Sequence, residues 1–290
     1  MKTIYGLPFN FLGLEEEFSN FDKSKFVVVP VPYDSTTSYV PGCRNAPLEI
    51  IKASRQVELF DVETESEAHK KGICTIDEIE PVRGNSEAMV RRIYEVVKDI
   101  LDKKKLPILL GGEHTITLGA ALAFPKEVYF INIDAHADLR EEYEGSKVSH
   151  ACVMKRIFEH NKNLIEIGVR SISKEEFEFA KKNNIPIYYK HILDKRKLAI
   201  VMKEIVRKIK GKEVYLSIDF DSLDPSIAPG VGTPEPNGLK WNEMLFILKE
   251  ISKNSKIVGF DVVEVLPLPG NHVTEFLAAR LIYKLISMIK

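Results

Sequence analysis

The sequence predicts an α/β fold, a three-layer αβα arrangement around a mainly parallel central sheet. Three observations predict it: short β-branched runs recur, helical patterns lie between them, and polar residues stand directly after the apolar runs. The runs occupy residues 26–29, 106–110, 128–133, 164–167, 187–189, 214–218 and 257–263, and each suits a strand buried on both faces. Between them, residues 86–104 place Met89, Ile93, Val96, Val97 and Ile100 on one stripe, and residues 197–210 and 242–252 behave similarly. Strands that alternate with helices imply parallel neighbours covered on both faces. No internal repeat, low-complexity segment or Gly/Ser linker interrupts the pattern, so residues 1–290 read as a single domain. Ligands in such sheets gather beyond the carboxyl ends of the strands, which is where chemistry is to be sought.

Composition narrows the function before any motif is considered. The chain has 290 residues, 44% of them hydrophobic, enough for a large core. Its formal charge of -1 comes from 41 basic and 42 acidic residues scattered along the chain, with no basic stripe of the kind that neutralises phosphates. Nucleic acid and membrane surfaces are therefore not expected partners. Pro8 and the glutamates at 15, 16 and 17 interrupt the N-terminal apolar stretch, so neither a signal peptide nor a spanning helix is expected. Cys43, Cys74 and Cys152 are odd in number, far apart and in no C-x-x-C pair, which argues against disulfides or a thiolate zinc site. A reducing, cytoplasmic setting is the expectation.

Three strand ends carry the chemistry. The run V-Y-F-I-N-I leads into Asp134-Ala-His136-Ala-Asp138, whose three polar side chains would share a face in extended chain. The run V-Y-L-S-I repeats the plan with Asp219 and Asp221, and L-P-I-L-L ends in Gly111-Gly112-Glu113-His114, where two glycines let the backbone turn tightly. Taken singly, a histidine after a strand is more often a packed residue than a ligand, and a lone D-x-D is usually a turn signal. Convergence changes the reading, because four carboxylates at neighbouring strand ends repel one another and are costly to desolvate unless cations neutralise them. Two divalent ions would supply that charge. An oxygen-rich site with some imidazole and no thiolate suits Mn²⁺ or a similar ion.

G-G-E-H at 111–114, D-A-H-A-D at 134–138 and S-I-D-F-D-S-L-D-P at 217–225, continuing through Thr233 to Gly238, resemble the three metal motifs of the ureohydrolase (arginase and agmatinase) family. The similarity runs from the segment at 41–47 to the helix at 274–280, and the chain looks most like a microbial agmatinase. The resemblance implies an arginase-like fold and two Mn²⁺ per chain, one held by His114, Asp134, Asp138 and Asp219 and the other by His136, Asp134, Asp219 and Asp221. Asp134 and Asp219 would bridge the ions, which would acidify a shared water into the nucleophile that Asp138 orients. It further implies that Glu264 pairs with the substrate guanidinium, that His150 shuttles a proton to the departing amine, and that Thr233 lies beside the substrate. Without the resemblance, Glu264 and His150 would be ambiguous and the G-T-P around Thr233 only a turn. Glu113 stands where many members have aspartate, and Thr115 where many have serine. His69, His160, His191 and His272 match no family site.

The implied reaction is hydrolysis of agmatine to putrescine and urea, with an arginase, a guanidinobutyrase and an aminopropylagmatine ureohydrolase as alternatives sharing the metal motifs. A single-zinc deacetylase would not keep His114, Asp138 and Asp221, and an inactive scaffold would be expected to lose a ligand. The expected partners are a small guanidino substrate and further copies of the chain, as a homotrimer or homohexamer. For the substrate, Glu141, Glu142 and Glu144 would attract a cationic amine if they face the pocket, and Arg140 is expected to pair with one of these neighbouring glutamates.

Overall fold

The computed structural model describes residues 6–290. The first five residues of the N-terminal stretch, over which no signal peptide was expected, lie outside that range. Apolar runs form eight strands: β1 (Phe26–Val31), β2 (Ile73–Thr75), β3 (Leu106–Gly111), β4 (Tyr129–Ile133), β5 (Leu164–Ile167), β6 (Ile187–Tyr188), β7 (Glu213–Asp219) and β8 (Lys256–Val263). They build one sheet in the order β2-β1-β3-β8-β7-β4-β5-β6, with every neighbouring pair parallel. All seven expected runs are strands. The eighth, β2, is an edge strand of three residues, too short to show a period of its own.

Both faces are apolar because side chains alternate along each strand. On β1, Phe26 and Val28 enter one core, beneath the helices Ala46–Ser54, Leu198–Ile209, Trp241–Asn254 and Val273–Met288. Val27, Val29 and Val31 enter the other, beneath Ser86–Asp102, Ile116–Ala123 and Val153–His160. The helix at 86–102 starts where the Asn85 side chain accepts a hydrogen bond from Ala88 N, and it buries Met89, Ile93, Val97 and Ile100 as the stripe requires. Val90 joins them and Val96 is only partly buried, so the stripe is turned slightly from the expected one. Among the described residues, no helix is long and apolar enough to cross a membrane.

Parallel strands leave all their carboxyl ends at one edge, and the register decides which residues meet there. Ile133 of β4 pairs with Ile218 of β7, so Asp134 and Asp219 emerge from adjacent strands at the same height. Asp219 in turn pairs with Val263 of β8, immediately before Glu264. Strand β3, on the far side of β8, turns at Gly112, where a Cβ would sit 1.9 Å from the carbonyl oxygen of Tyr33. Only glycine allows that approach, and it delivers His114 back over the strand ends.

Candidate metal centre

The two imidazoles are held differently. Ser217 Oγ donates to Asp261 Oδ1 (2.7 Å), so its lone pairs face His114 Nε2 at 2.9 Å, and His114 Nε2–H is the donor. Tyr215 supplies a further proton to Asp261 at 2.7 Å. His114 Nδ1 is thereby turned toward the carboxylates: oxygens of Asp138, Asp134 and Asp219 lie 3.0, 3.3 and 3.3 Å away. This buried nitrogen has no properly directed hydrogen bond of its own. His136 Nδ1 lies 3.0 Å from Asp221 Oδ2 and 3.7 Å from Asp134 Oδ1, while its Nε2 faces Glu235 at 3.8 Å.

The expected sharing of one face by Asp134, His136 and Asp138 is not what the chain does. Strand β4 ends at Ile133, and the segment beyond it turns, with Asp138 in the left-handed region at φ 50°. His136 goes to the Asp221 side of Asp134, and Asp138 to the His114 side. The turns are pinned by the carboxylates themselves: His136 N donates to Asp134 Oδ1 at 2.7 Å, Asp221 N to Asp219 Oδ1 at 2.9 Å, and Ala135 N to Asp221 Oδ1 at 3.2 Å. Two groups result that could hold a metal ion, His114-Asp134-Asp219 and Asp134-His136-Asp221, with Asp134 common to both.

Electrostatics fit cations at this position. Burial, then Asp134, pushes Asp138 up to about 7, and burial with Asp221 and Asp134 raises Asp219 well above the carboxylate range. Burial opposes charge on His114 and His136, but the surrounding aspartates outweigh it and raise both. The protein by itself gathers protons to offset its carboxylates. Divalent ions would displace those protons, and an orphaned buried Nδ1 aimed at three carboxylates is the donor geometry such an ion uses.

A buried polar row supports the cluster, and the sequence reading did not single it out. Glu166, Asn132, Ser217 and Asp261 stand level on β5, β4, β7 and β8, paired in that order across the sheet. Asn132 Nδ2 donates to Asp134 Oδ2 (3.0 Å) and to Glu166 Oε2 (2.9 Å), which fixes the shared carboxylate as Ser217 fixes His114. Each is a polar residue with an apolar neighbour on either side, one position before the strand end on β4 and two before it on β7. Asn132→Leu is expected to keep the fold and weaken metal binding about 10- to 100-fold, read by metal titration. An unchanged affinity would leave the row with a structural role alone.

The cavity above the cluster has a volume of about 330 Å³, and its lining includes His136, Asp138, His150, Asp219, Asp221, Thr233 and Glu264. Glu264, at φ 60°, is a second left-handed residue, and its Oε1 accepts a hydrogen bond from His114 N at 2.7 Å. Burial, then Glu113, pushes Glu264 up to about 8, which a bound guanidinium would reverse. Thr233 Oγ1 donates to Asp221 Oδ2 at 3.1 Å. His150 meets Thr36 Oγ1 through Nδ1 and Ser38 Oγ through Nε2, each at 3.4 Å. Burial and the neighbouring His114 and His136 push it down to about 4, so its imidazole is neutral near pH 7, rather than poised there.

One expectation about the mouth is corrected. None of Glu141, Glu142 and Glu144 lines this cavity: Glu141 pairs with Lys147, Lys155 and Arg156, while Glu142 and Glu144 line a separate surface depression beside Lys147. Arg140 does line it, but its Nε lies 3.9 Å from Glu176 Oε2 and its guanidinium 5.0 Å from the Tyr143 ring centroid. The partner is a glutamate remote in sequence, fixed by bonds from Leu139 N and Ser173 N. Glu141 points outward because Lys155 and Arg156 of the helix Val153–His160 draw it there.

A parallel αβα sheet that brings two His/carboxylate groups together beneath a polar cavity defines a candidate metallohydrolase. The model of the Arginase family matches residues 24–287. The chain is 35% identical over 279 residues to an N(1)-aminopropylagmatine ureohydrolase of Synechocystis sp., covering 93% of this chain and 90% of that protein. It is 35% identical over 255 residues to an agmatinase of Bacillus cereus, 86% of each. The crystal structure of agmatine ureohydrolase of Thermoplasma volcanium superposes with a TM-score of 0.90 at 33% identity, covering 98% of this chain and 95% of that one. The chain belongs to the arginase family and is a ureohydrolase, a hydrolase of guanidino compounds.

Proposed function

We propose that this ureohydrolase cleaves agmatine to putrescine and urea, with two Mn²⁺ held by His114, Asp134, Asp138 and Asp219 and by His136, Asp134, Asp219 and Asp221. The observation that carries the reading is the sharing of Asp134 between two His/Asp groups on the floor of a cavity that Glu264 and His150 also line. When bound, the ions would lower the pKa of a water from about 15.7 toward neutrality and so provide the nucleophile. Everything else falls to the chain. Glu264, with Oε1 anchored by His114 N, pairs with the guanidinium and aims its carbon at the floor. Asp138 orients the attacking water. His150, neutral in the resting site, accepts a proton and returns it to the amine nitrogen as the C–N bond breaks. Water supplies the urea oxygen, and the proton leaves on putrescine.

Substrate choice rests on what the mouth lacks rather than on the acidic loop. Among the described residues that line the cavity, Arg140 is the only Lys or Arg, and Glu176 and Tyr143 engage it. An α-carboxylate would find no uncommitted cation to meet it. A second reading, N(1)-aminopropylagmatine, is favoured by the Synechocystis relative and by the open rim at Tyr39, which is 73% exposed. kcat/KM for agmatine, N(1)-aminopropylagmatine, arginine and 4-guanidinobutyrate under one condition decides between them. Agmatine is expected to exceed arginine by about 100-fold or more, the cost of leaving one charged group unpaired in a desolvated site. A clear win for N(1)-aminopropylagmatine selects the second reading, and a win for arginine or 4-guanidinobutyrate overturns both.

A further inference from the structure

Glu113 is fully buried beside the cavity and belongs to neither metal group, yet it is densely bonded. Its two oxygens accept from Thr36 N and Thr36 Oγ1, both at 2.6 Å. Its own backbone N donates to Tyr33 O at 2.7 Å, and Gly112 N to Val31 O at 3.1 Å, so the turn after β3 and the segment after β1 are locked together. What this lock presents to His150 is one hydroxyl. Thr36 Oγ1 has a single proton, given to Glu113, and two lone pairs. Two groups of His150 meet this oxygen, the backbone N donating at 3.2 Å and Nδ1 lying 3.4 Å away, and Thr115 Oγ1 stands 3.3 Å from it on another side. An oxygen with no proton left to offer can only accept from Nδ1. The ring is also packed edge-on against Tyr143, with centroids 5.7 Å apart, which resists a ring flip.

We propose that Thr36, clamped by Glu113, is a positioning residue that fixes His150 as the Nδ1–H tautomer and leaves Nε2, beside Ser38 on the cavity side, as the nitrogen that exchanges a proton. The inference rests on the reading of His150 as the proton carrier, and it gives that reading a direction. A histidine free to adopt either tautomer would present the wrong nitrogen for part of the time. The hydroxyl removes that loss in the way an orienting group behind a catalytic imidazole does. It also assigns work to Glu113, whose carboxylate decides which way the hydroxyl proton points. Ser38 Oγ, 3.4 Å from Nε2, keeps its own proton to donate there until Nε2 takes one.

The test is 15N NMR of the full-length enzyme labelled at its seven histidines and loaded with diamagnetic Mg²⁺, with the His150 signals assigned by their loss in His150→Asn. The wild type is expected to show protonated Nδ1 and unprotonated Nε2. Thr36→Val, equal in shape but without the hydroxyl, is expected to give a mixture of tautomers. Its kcat is expected to fall about tenfold with KM and metal content unchanged, and Thr36→Ser to restore both tautomer and turnover. An Nε2–H tautomer in the wild type overturns the proposal without recourse to any variant. So does an unaltered tautomer in Thr36→Val, or a Thr36→Ser enzyme as slow as Thr36→Val. Full turnover in His150→Asn would instead end the proton-carrier reading, while leaving the tautomer measurement standing.

Discussion

Asp134→Ala is expected to abolish binding of both ions together and to lower turnover by on the order of 10³-fold or more, because metal catalysis supplies several kcal/mol of the barrier reduction. The expectation follows from how its two oxygens are divided. Oδ2 faces His114 Nδ1 at 3.3 Å and is fixed by Asn132, while Oδ1 faces His136 Nδ1 at 3.7 Å and takes the hydrogen bond from His136 N. Of the two groups the structure brings together, Asp134 alone is common to both, whereas Asp219, which the proposed ligand sets also share, falls with His114. His114→Ala and His136→Ala each remove one nitrogen from one group, so either is expected to weaken one site and spare much of the other. Asp134→Asn keeps the shape and the bond from His136 N, and separates loss of charge from loss of packing. Metal analysis after Mn²⁺ loading reads the result. Equal loss from Asp134→Ala, His114→Ala and His136→Ala would contradict a shared carboxylate, and saturation of an active wild type at one ion per chain would end the two-ion reading.

The metal groups were legible in the sequence because their residues follow buried strands, where an acid or an imidazole is conspicuous against apolar neighbours. The same contrast marks Asn132, Glu166, Ser217 and Asp261, each the lone polar residue in its apolar stretch. What the sequence could not supply is that these four stand level, since level is a matter of register and register is set between strands. Only at that height do a donor, two acceptors and a hydroxyl fall into one row able to orient Asp134 and His114. Glu264, although it directly follows the run at 257–263, and His150 were ambiguous in the sequence and gained roles only through the family resemblance. Their places depend on β8 lying between β3 and β7, and on a loop that passes beneath Thr36.

The acidic loop shows the opposite limit. Three glutamates within four residues predict a cation-attracting rim if they face the pocket, with Arg140 paired to one of them. A loop has no period, so nothing local says which way its side chains point. Lys147, Lys155 and Arg156 take Glu141 away from the cavity, and Glu176, remote in sequence, takes Arg140. Charge counted along the chain therefore misassigned the mouth, where the helix Lys174–Asn183 and its capping residues decide the field.

His150→Asn is expected to lower kcat by about 10² to 10⁴, the range that a positioned proton carrier contributes, with metal content and KM little changed. The structure separates those effects. His150 lies in neither metal group, and its contacts are to Thr36, Ser38 and Tyr143 rather than to the aspartates. Its substitution therefore leaves the charges of the floor in place. Asparagine retains a side-chain donor for Thr36 Oγ1 and so preserves the loop contact, but it offers no basic nitrogen that can take up and release a proton. The wild-type ring is neutral at that pH, because burial and the nearby imidazoles push it down to about 4. Once it has accepted a proton it is a stronger acid than a free imidazolium, which favours transfer to an amine leaving group. Added imidazole is expected to restore part of the lost turnover by diffusing into the cavity. Steady-state kinetics, metal analysis and imidazole rescue on one preparation read all three. Turnover equal to the wild type would remove His150 from the reaction, and loss of bound metal alongside turnover would make it a structural support of the centre instead.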